Sequence, residues 1–260
     1  MLELHSSHAH ADTYFTFRDG QRDAYARHTP RQNRLLAALP PQDYERLLPD
    51  LEPVPLPPGS SVYRAGDPEK YLYFLCAGIV SRFHVVESGV ATEFALTGRE
   101  GVIGIATFLG GESIPSQAVV VSTGYAYRLP ANIVSKAFQH GSPLAQLLLR
   151  YTQALIVETG QTAVCIRHHS LQQQLCRWIL SSLDRSTSRE VTMTQELIAN
   201  MLGVRRESVT EAASTLQKEG LIHYSRGHIT VLDRPRLEAQ VCECYAVVRR
   251  EYDRLLPERR

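Results

Sequence analysis

A segment with helical periodicity in the carboxyl-terminal part of the chain begins with two arginines and a glutamate: Arg205, Arg206 and Glu207. Ser208 and Thr210 follow shortly after them. The planar fork of an arginine can donate two hydrogen bonds to O6 and N7 of guanine, and a glutamate can accept one from the N4 amine of cytosine. Such residues at the entering end of a helix are typical of a surface that reads base edges in the major groove of DNA.

The surrounding residues predict two short helices that would position these polar and charged side chains. The first is expected to begin after Thr194, a suitable N-cap, and to end at Gly203, where a tight turn is needed. The second is expected to start near Arg205 and to end before Gly220, with Lys218 in its last turn. Apolar residues recur at helical spacing along one side of each helix: Leu197, Ile198, Met201, Leu202, Val209, Ala213 and Leu216.

The next residues, GLIHYSRGHITVLD, alternate between apolar and polar side chains around Ser225-Arg226-Gly227 and predict a β-hairpin. Ser225 and Arg226 at its tip are suited to contact phosphates. Such contacts position a DNA-binding protein on the duplex but do not specify the base sequence. Two helices and a hairpin in this order predict a winged helix-turn-helix. The alternative is a winged helix whose charged face is solvated and serves protein contacts.

The run Arg206-Glu207-Ser208-Val209 resembles the recognition helix of the Crp/Fnr family of transcription regulators. The resemblance implies an α+β fold, with an N-terminal β-roll (jelly roll) sensor domain, a long dimerisation helix and a C-terminal winged helix-turn-helix. It also implies a sequence-specific regulator that acts as a homodimer on a palindromic site. Glu211 stands where the cyclic-AMP receptor protein of this family has a further DNA-contacting arginine, so the target sequence need not be the same.

The predicted domains are a loosely ordered arm over residues 1–32, a β-roll effector domain with flanking helices over 33–142, a dimerisation helix over 143–169, and a winged helix-turn-helix domain over 170–260. In the roll, turn signals that include Ala77-Gly78 and Gly124 separate strand-like runs at near-regular spacing, which is typical of a double-sheet all-β unit. A capping box of Ser170 and Gln173 places the hinge at about residue 169.

Residues 98–121 occupy the place of the family's phosphate-binding cassette. In the resemblance, Val102 falls where cyclic-nucleotide binders carry a glutamate, and Ser116-Gln117 falls where they carry an arginine and a serine or threonine. A buried phosphate without a charge partner costs several kcal/mol, so cyclic AMP is not expected as the effector. The candidate effector pocket comprises Val102, Ile103, Ser116, Gln117 and Thr159. A filled apolar core is the other interpretation, and haem or another small ligand stays open, with no cofactor predicted.

A long helix is predicted from Ser142-Pro143 to about His168, and the family dimerises through this helix. Apolar and small polar residues recur along it at three- and four-residue steps, which is typical of a coiled-coil seam. The predicted dimer interface consists of Leu148, Tyr151, Leu155, Thr162 and Ile166.

No metal site is predicted, although several residues of the right type are present. Cys165, His168, His169 and Cys176 would need the hinge to bring them together. Cys242 and Cys244 lie two apart in a predicted final helix, from Arg234 to Leu256, and residues at that spacing point to different sides. The arm histidines, His5, His8 and His10, lack residues that would hold them in place. No cysteine precedes Cys76, so the N-terminal iron-sulfur cluster of some family members is not expected.

Composition limits the remaining choices. Lys and Arg number 28 against 27 Asp and Glu, so any affinity for DNA depends on where the charges lie. An odd number of scattered cysteines and the lack of a secretory segment indicate the cytoplasm, and no apolar run reaches the ~18 residues of a membrane span. The predicted partners are double-stranded DNA and a second copy, with RNA polymerase as a further candidate.

Two functions other than transcription regulation are compatible with parts of the sequence. The first is a ligand-independent architectural or partner-binding protein. The second is a cupin-like enzyme, which would need inward-pointing histidines, whereas only His84 lies in the predicted strands. Catalysis is therefore not implied.

Overall fold

The structure is a computed structural model that describes residues 29–186 and 190–256. The predicted N-terminal arm, together with His5, His8 and His10, lies outside the described residues except for its last four positions. These include a short 3-10 turn at Pro30–Gln32, which leads into the first helices.

Helices α1 (Arg34–Ala38) and α2 (Pro41–Leu47) precede an antiparallel sheet of six strands. The strands are β1 (Glu52–Leu56), β2 (Ser61–Tyr63), β3 (Tyr71–Val85), β4 (Ala91–Thr97), β5 (Val102–Ile103) and β6 (Gln117–Pro130). Their order is β1-β6-β3-β4, with β2 paired to β6 and β5 paired to β3. Helix α3 (Ala106–Leu109) follows β5, and α4 (Ala131–Gln139) follows β6. This arrangement confirms the predicted β-roll.

The two longest strands run through positions that were predicted as turns, so the prediction of breaks at Ala77-Gly78 and Gly124 is wrong. Gly78 has a φ of 83°, and the register between β3 and β6 shifts on both sides of Ala77. A Cβ on Gly124 would lie 2.0 Å from the carbonyl oxygen of Ala77. Glycine at both places allows bulges and a close approach without ending the strands, and a bulge bends the strand that contains it.

Strands β1, β2, β3, β5 and β6 all contribute side chains to a buried apolar cluster that forms the interior of the roll: Val54, Leu56, Val62, Tyr63, Tyr73, Leu75, Val80, Ile103, Ala118, Val120 and Ala126. A second apolar cluster joins sheet residues to the helices around them. Leu35 from α1, Leu72 from β3 and Val134 from α4 are all fully buried there. The interior of the roll is therefore filled by apolar side chains, and helices pack against the outside of its sheet.

Helix α5 (Pro143–His168) covers much of that second cluster, and its bounds confirm the predicted long helix. The Ser142 side chain accepts a hydrogen bond from the Ala145 amide, as an N-cap should. None of the helices in the described ranges combines the length and the apolar character needed to cross a lipid bilayer.

The carboxyl-terminal part begins with α6 (Leu171–Arg185), whose predicted capping box of Ser170 and Gln173 is present. It continues through β7 (Glu190–Thr192), α7 (Gln195–Leu202), α8 (Arg206–Lys218), β8 (Ile222–Ser225) and β9 (His228–Val231), and the three strands form a sheet in the order β7-β9-β8. The predicted single final helix is wrong. It is two helices, α9 (Arg234–Gln240) and α10 (Glu243–Leu255), because Val241 and Cys242 are extended.

Most of the predicted dimer seam points into the protomer. Leu148 and Tyr151 are fully buried, and Leu155 and Thr162 are each 5% exposed, because this face of α5 packs on the roll and on α10. Only Ile166 of the predicted set is exposed. The seam prediction is therefore wrong for four of its five residues, since the three- and four-residue spacing marks a buried helix face without saying what buries it.

A buried cation joins the roll, the long helix and the carboxyl-terminal part. The Arg185 guanidinium lies 2.9 Å from Glu100 and 2.8 Å from Glu158, and all three side chains are less than 10% exposed. The Tyr252 hydroxyl on α10 donates to the second oxygen of Glu158 at 2.7 Å. The roll, α5 and two helices of the carboxyl-terminal part, α6 and α10, thus meet at one buried network.

A further carboxyl group is buried nearby, and no cation among the described residues is hydrogen-bonded to it. Glu93 on β4 accepts a hydrogen bond from the Ser81 hydroxyl at 2.6 Å. Burial raises the pKa of Glu93 to about 7, although this hydrogen bond and the charge of Arg177 oppose the rise. The neutral acid is therefore favoured in the folded protein at mildly acidic pH.

Replacing this group should change how stability depends on pH. The folded-state pKa of Glu93 lies above the unfolded one, so its contribution to stability is fully present below pH ~4.5 and is lost as the pH rises to about 7. Glutamine cannot ionise. Glu93→Gln should therefore match wild type near pH 4.5 and exceed it by ~3 kcal/mol in free energy of unfolding above pH 7.

Denaturant unfolding, followed by the fluorescence of Trp178, measures this difference from pH 5 to pH 8. Glu87→Gln, which removes an exposed carboxylate instead of a buried one, is the control. A Glu93→Gln difference that does not vary with pH would contradict the assignment.

Candidate nucleic-acid interface

Local hydrogen bonds and one glycine hold the two helices of the predicted reading unit in place. The Thr194 hydroxyl accepts from the Leu197 amide at 3.2 Å, which confirms the N-cap of α7. Gly203 ends α7 with a left-handed φ of 65°, a conformation that glycine adopts without strain. Arg205 is the N-cap residue of α8. The helix-turn-helix therefore forms where the sequence predicted it.

One side of α8 is buried and the other is free. Val209, Ala213 and Leu216 pack into the core of this domain, as their spacing predicted. The remaining front is solvent-accessible: Arg205, Arg206, Glu207 and Thr210 are exposed and Ser208 is partly exposed. Because the amino end of a helix carries a partial positive charge, two arginines there form a surface that favours an anion.

The predicted wing is a tight hairpin. Arg226 and Gly227 have φ values of 49° and 82°, which are the left-handed values that a two-residue type I′ turn needs at both central positions. Ser225 and Arg226 are exposed at its tip. The Tyr224 hydroxyl donates to the Met193 carbonyl at 2.7 Å, so the hairpin is anchored to the chain that leads into α7.

The structure brings the front of α8 and the wing tip together. Arg206 and Arg226 line one cleft, together with Thr194, Gln195, Glu196, Tyr224 and Gly227. The Thr210 hydroxyl donates to Gln195 at 2.8 Å and ties α8 to the start of α7. Within residues 29–186 and 190–256, no carboxylate is paired with Arg205, Arg206 or Arg226. These guanidinium groups are available to an external partner.

The five residues of the candidate effector pocket do not share one environment. Val102 packs among the helices, whereas its neighbour Ile103 points into the roll interior. Ser116 is buried against the Tyr63 hydroxyl at 3.1 Å, and Gln117 begins β6. Thr159 donates its hydroxyl to the Leu155 carbonyl of its own helix. Val102 and Ile103 are fully buried, which supports the filled-core interpretation for these two positions.

Sequence reasoning missed a buried arginine in the roll. Arg82 on β3 is 1% exposed and donates to the Val102 carbonyl and, at 3.0 Å, to the Tyr151 hydroxyl. Its other terminal nitrogen, Nη1, has no hydrogen-bond partner in the described part of the chain. The signal in the sequence was one charged residue inside the apolar strand run IVSRFHVV.

The expectation that Cys242 and Cys244 diverge is wrong. Cys242 precedes α10 as its N-cap residue, so the two side chains are not fixed by helical geometry and both are buried beside the end of α5. Their neighbours there are Cys165 and His169, and the four ligating atoms lie within 4.8 Å of one another. Burial raises the pKa of Cys165 to about 12. His168 and Cys176 are not part of this group.

Comparisons with known proteins agree with this architecture. The family described as cyclic nucleotide-binding domain matches residues 53–140, and the Crp-like helix-turn-helix domain matches residues 173–240. Electron transport regulator A of Shewanella oneidensis is 25% identical over 192 residues, which cover 70% of this chain and 76% of that protein. The global nitrogen regulator of Synechococcus elongatus is also 25% identical, over 70% of this chain and 86% of its own length.

Solved structures show the same fold. FixK2 from Bradyrhizobium japonicum superposes with a TM-score of 0.65 at 17% identity, over 74% of this chain and 98% of that one. A CRP-family transcriptional regulator from Thermus thermophilus gives 0.60 at 21% identity, over 72% and 95%. Together with the two family matches, a sensory roll, a long helix and a helix-turn-helix in this order identify a DNA-binding transcription regulator. The chain belongs to the Crp/Fnr family.

Proposed function

We propose that this regulator works as a homodimer in the cytoplasm, without catalysis, and reads a palindromic DNA site through two copies of α8. The observation that carries the proposal is that Arg206 of α8 lines one cleft with Arg226 of the wing tip, and that neither is paired with a carboxylate among the residues that the structure describes. Arg206 and Glu207 are proposed to contact base edges, while Arg205, Ser208, Thr210, Ser225 and Arg226 contact the backbone or support those contacts. RNA polymerase is a further candidate partner, in keeping with the relatives being transcription regulators.

Base-reading and phosphate-binding residues should respond differently to substitution. Arg206→Ala should cost about 1 to 3 kcal/mol at one base position and relax specificity there. Arg226→Ala should weaken all sequences alike and lower the salt slope by about one unit. A selection from genomic fragments supplies the best site, and binding titrations with that site and a scrambled one measure both effects.

Lys218→Ala serves as the control, because Lys218 is exposed at the far end of α8 and does not line the cleft. It should leave discrimination between the two sites intact. Full discrimination by Arg206→Ala would show that α8 is not the reader. A selection that returned no palindromic motif would favour the architectural or partner-binding alternative.

A different stripe on α5 is proposed as the dimer interface. Leu149, Ile156 and Val164 are 53%, 66% and 45% exposed, although large apolar side chains favour burial. Leu149, Ile156 and Ala163 follow one another at seven-residue steps, and Gly160 lies on the same side of the helix. Seven-residue apolar spacing is the pattern of paired helices. A two-fold dimer would place its two reading helices about 34 Å apart on one face of the duplex.

A negative charge placed on the exposed stripe of α5 that includes Leu149, Ile156 and Ala163 should separate the protomers without unfolding them. Ile156→Glu is expected to sediment as a folded monomer that has lost tight DNA binding, because a carboxylate cannot be buried unpaired between two helices. The neighbouring Leu155→Glu should instead lower the thermal stability of the protomer itself, since Leu155 is 5% exposed within its own core. Arg150→Glu, at an exposed position about a third of a turn around the helix from Ile156, should remain dimeric. A dimeric Ile156→Glu protein would refute this interface.

Cyclic AMP is proposed not to control the protein. Val102 and Ser116-Gln117 supply no charge where cyclic-nucleotide binders of the family carry a glutamate and an arginine, and the buried guanidinium of Arg82 already donates to the Val102 carbonyl and the Tyr151 hydroxyl. Hydrogen bonds to charged groups are worth about 1.5 to 3 kcal/mol, so losing two should weaken binding by about two to four orders of magnitude. Calorimetric titration with cyclic AMP and cyclic GMP tests this. A micromolar dissociation constant with a matching gain in DNA affinity would contradict it.

A further inference from the structure

Four potential metal ligands from distant parts of the chain meet at the junction between the long helix and the carboxyl-terminal part. Cys165 lies in the last turn of α5, and His169 is the residue that ends this helix. Cys242 and Cys244 flank the start of α10. The three thiols are 0 to 3% exposed, and the His169 side chain is 13% exposed. The set is Cys-x3-His on one segment and Cys-x-Cys on another, and we call it the Cys3His cluster.

The spacing of the ligand atoms matches a tetrahedral ion. The Sγ atoms of Cys165 and Cys242 are 3.6 Å apart, and Cys244 Sγ is 3.4 Å from His169 Nδ1. With zinc bonds of about 2.3 Å to sulfur and about 2.0 to 2.1 Å to nitrogen, the edges of a tetrahedron would be ~3.8 Å between two sulfurs and ~3.6 Å between sulfur and nitrogen. These two distances are slightly shorter than the tetrahedral edges, and all four ligand atoms lie within 4.8 Å of one another, so small side-chain movements would admit the ion.

Neighbouring side chains support ligation. Glu243 Oε2 lies 3.3 Å from His169 Nε2, on the side of the ring away from the thiols. A carboxylate that accepts from the outer ring nitrogen leaves the other nitrogen free to bind metal and fixes the ring orientation. Gln161 Nε2 donates to Cys244 Sγ at 3.2 Å, which would stabilise negative charge on that sulfur. Three thiolates around a divalent cation leave one net negative charge, and the Arg177 guanidinium is close enough to act electrostatically on Cys165.

We propose that the Cys3His cluster binds one Zn²⁺ ion in a closed structural site. Three sulfurs and one imidazole are a ligand set of structural zinc, whereas hard cations such as Mg²⁺ and Ca²⁺ select oxygen. Four protein ligands fill a tetrahedron, and the three thiols are buried, so no position is left for a substrate. The proposal does not depend on the DNA contacts or on the effector.

Such an ion would fasten α10 to the end of α5 at the point where the chain turns into the DNA-reading domain. The far end of α10 is already anchored, because Tyr252 donates to Glu158 on the same long helix. With the ion bound, α10 would be tied to α5 at both ends. The metal would therefore be one of the contacts that fix the position of the winged helix-turn-helix relative to the sensor domain.

Elemental analysis of the full-length protein, purified and dialysed under reducing conditions, should find one zinc ion per protomer. Cobalt substitution should give the visible bands of a tetrahedral site together with the ultraviolet charge-transfer band of thiolate ligands. Cys244→Ala should lose the zinc. Cys76→Ala is the matched control, because Cys76 is equally buried but lies on β3, outside the cluster, and this variant should keep its zinc.

Glu243→Gln tests the positioning of His169 without removing a ligand. Its zinc affinity, measured by competition with a chromogenic chelator, should fall by about 10- to 100-fold. Three results would each overturn the proposal: reduced protein that takes up no zinc or cobalt, iron and sulfide in place of zinc, or equal zinc in Cys244→Ala and Cys76→Ala. The cobalt spectrum of wild type gives an answer even if a variant fails to fold.

Discussion

The arrangement of the whole molecule depends on one buried cation, Arg185. Removing a guanidinium from water costs several kcal/mol, and this cost is recovered only if the cation meets well-placed anions. Glu100 from the roll and Glu158 from the long helix provide them, each by a direct hydrogen bond. Gly98 leaves room for this, because a Cβ there would lie 2.6 Å from the Arg185 Cβ. Removing one partner of such a network typically costs about 3 to 5 kcal/mol, so the three parts are held in one relative position.

Helix α5 is the element through which these constraints act together. Its inner face contributes Glu158 and the buried apolar residues, its outer face carries the exposed stripe around Ile156, and its last turn contributes Cys165 to the Cys3His cluster. A helix shared by the core, the proposed dimer contact and the proposed metal site cannot shift without changing all three. A signal that moved α5 relative to the roll would therefore reach the DNA-reading surface directly, because only two residues separate the end of α5 from the start of α6.

The DNA-reading unit was predictable almost residue by residue, because its determinants are local. The cap at Thr194, the left-handed Gly203 and the turn at Arg226-Gly227 each depend on the chemistry of a few adjacent residues. The roll was predictable in kind but not in its strand bounds. Glycine ends many strands, and nothing local distinguishes a turn from the bulge at Gly78 that faces another glycine across the sheet.

The sequence by itself determined the order of the domains, the helix-turn-helix with its wing and the arginine front of α8, because periodicity, caps and turns are properties of short segments. The tertiary structure alone decided which face of α5 is buried, since an apolar stripe is the same whether its own core or a second copy covers it. It also decided that Cys165, His169, Cys242 and Cys244 converge. Their grouping depends on α10 folding back over α5, and residues more than 70 positions apart carry no local signal that they will meet.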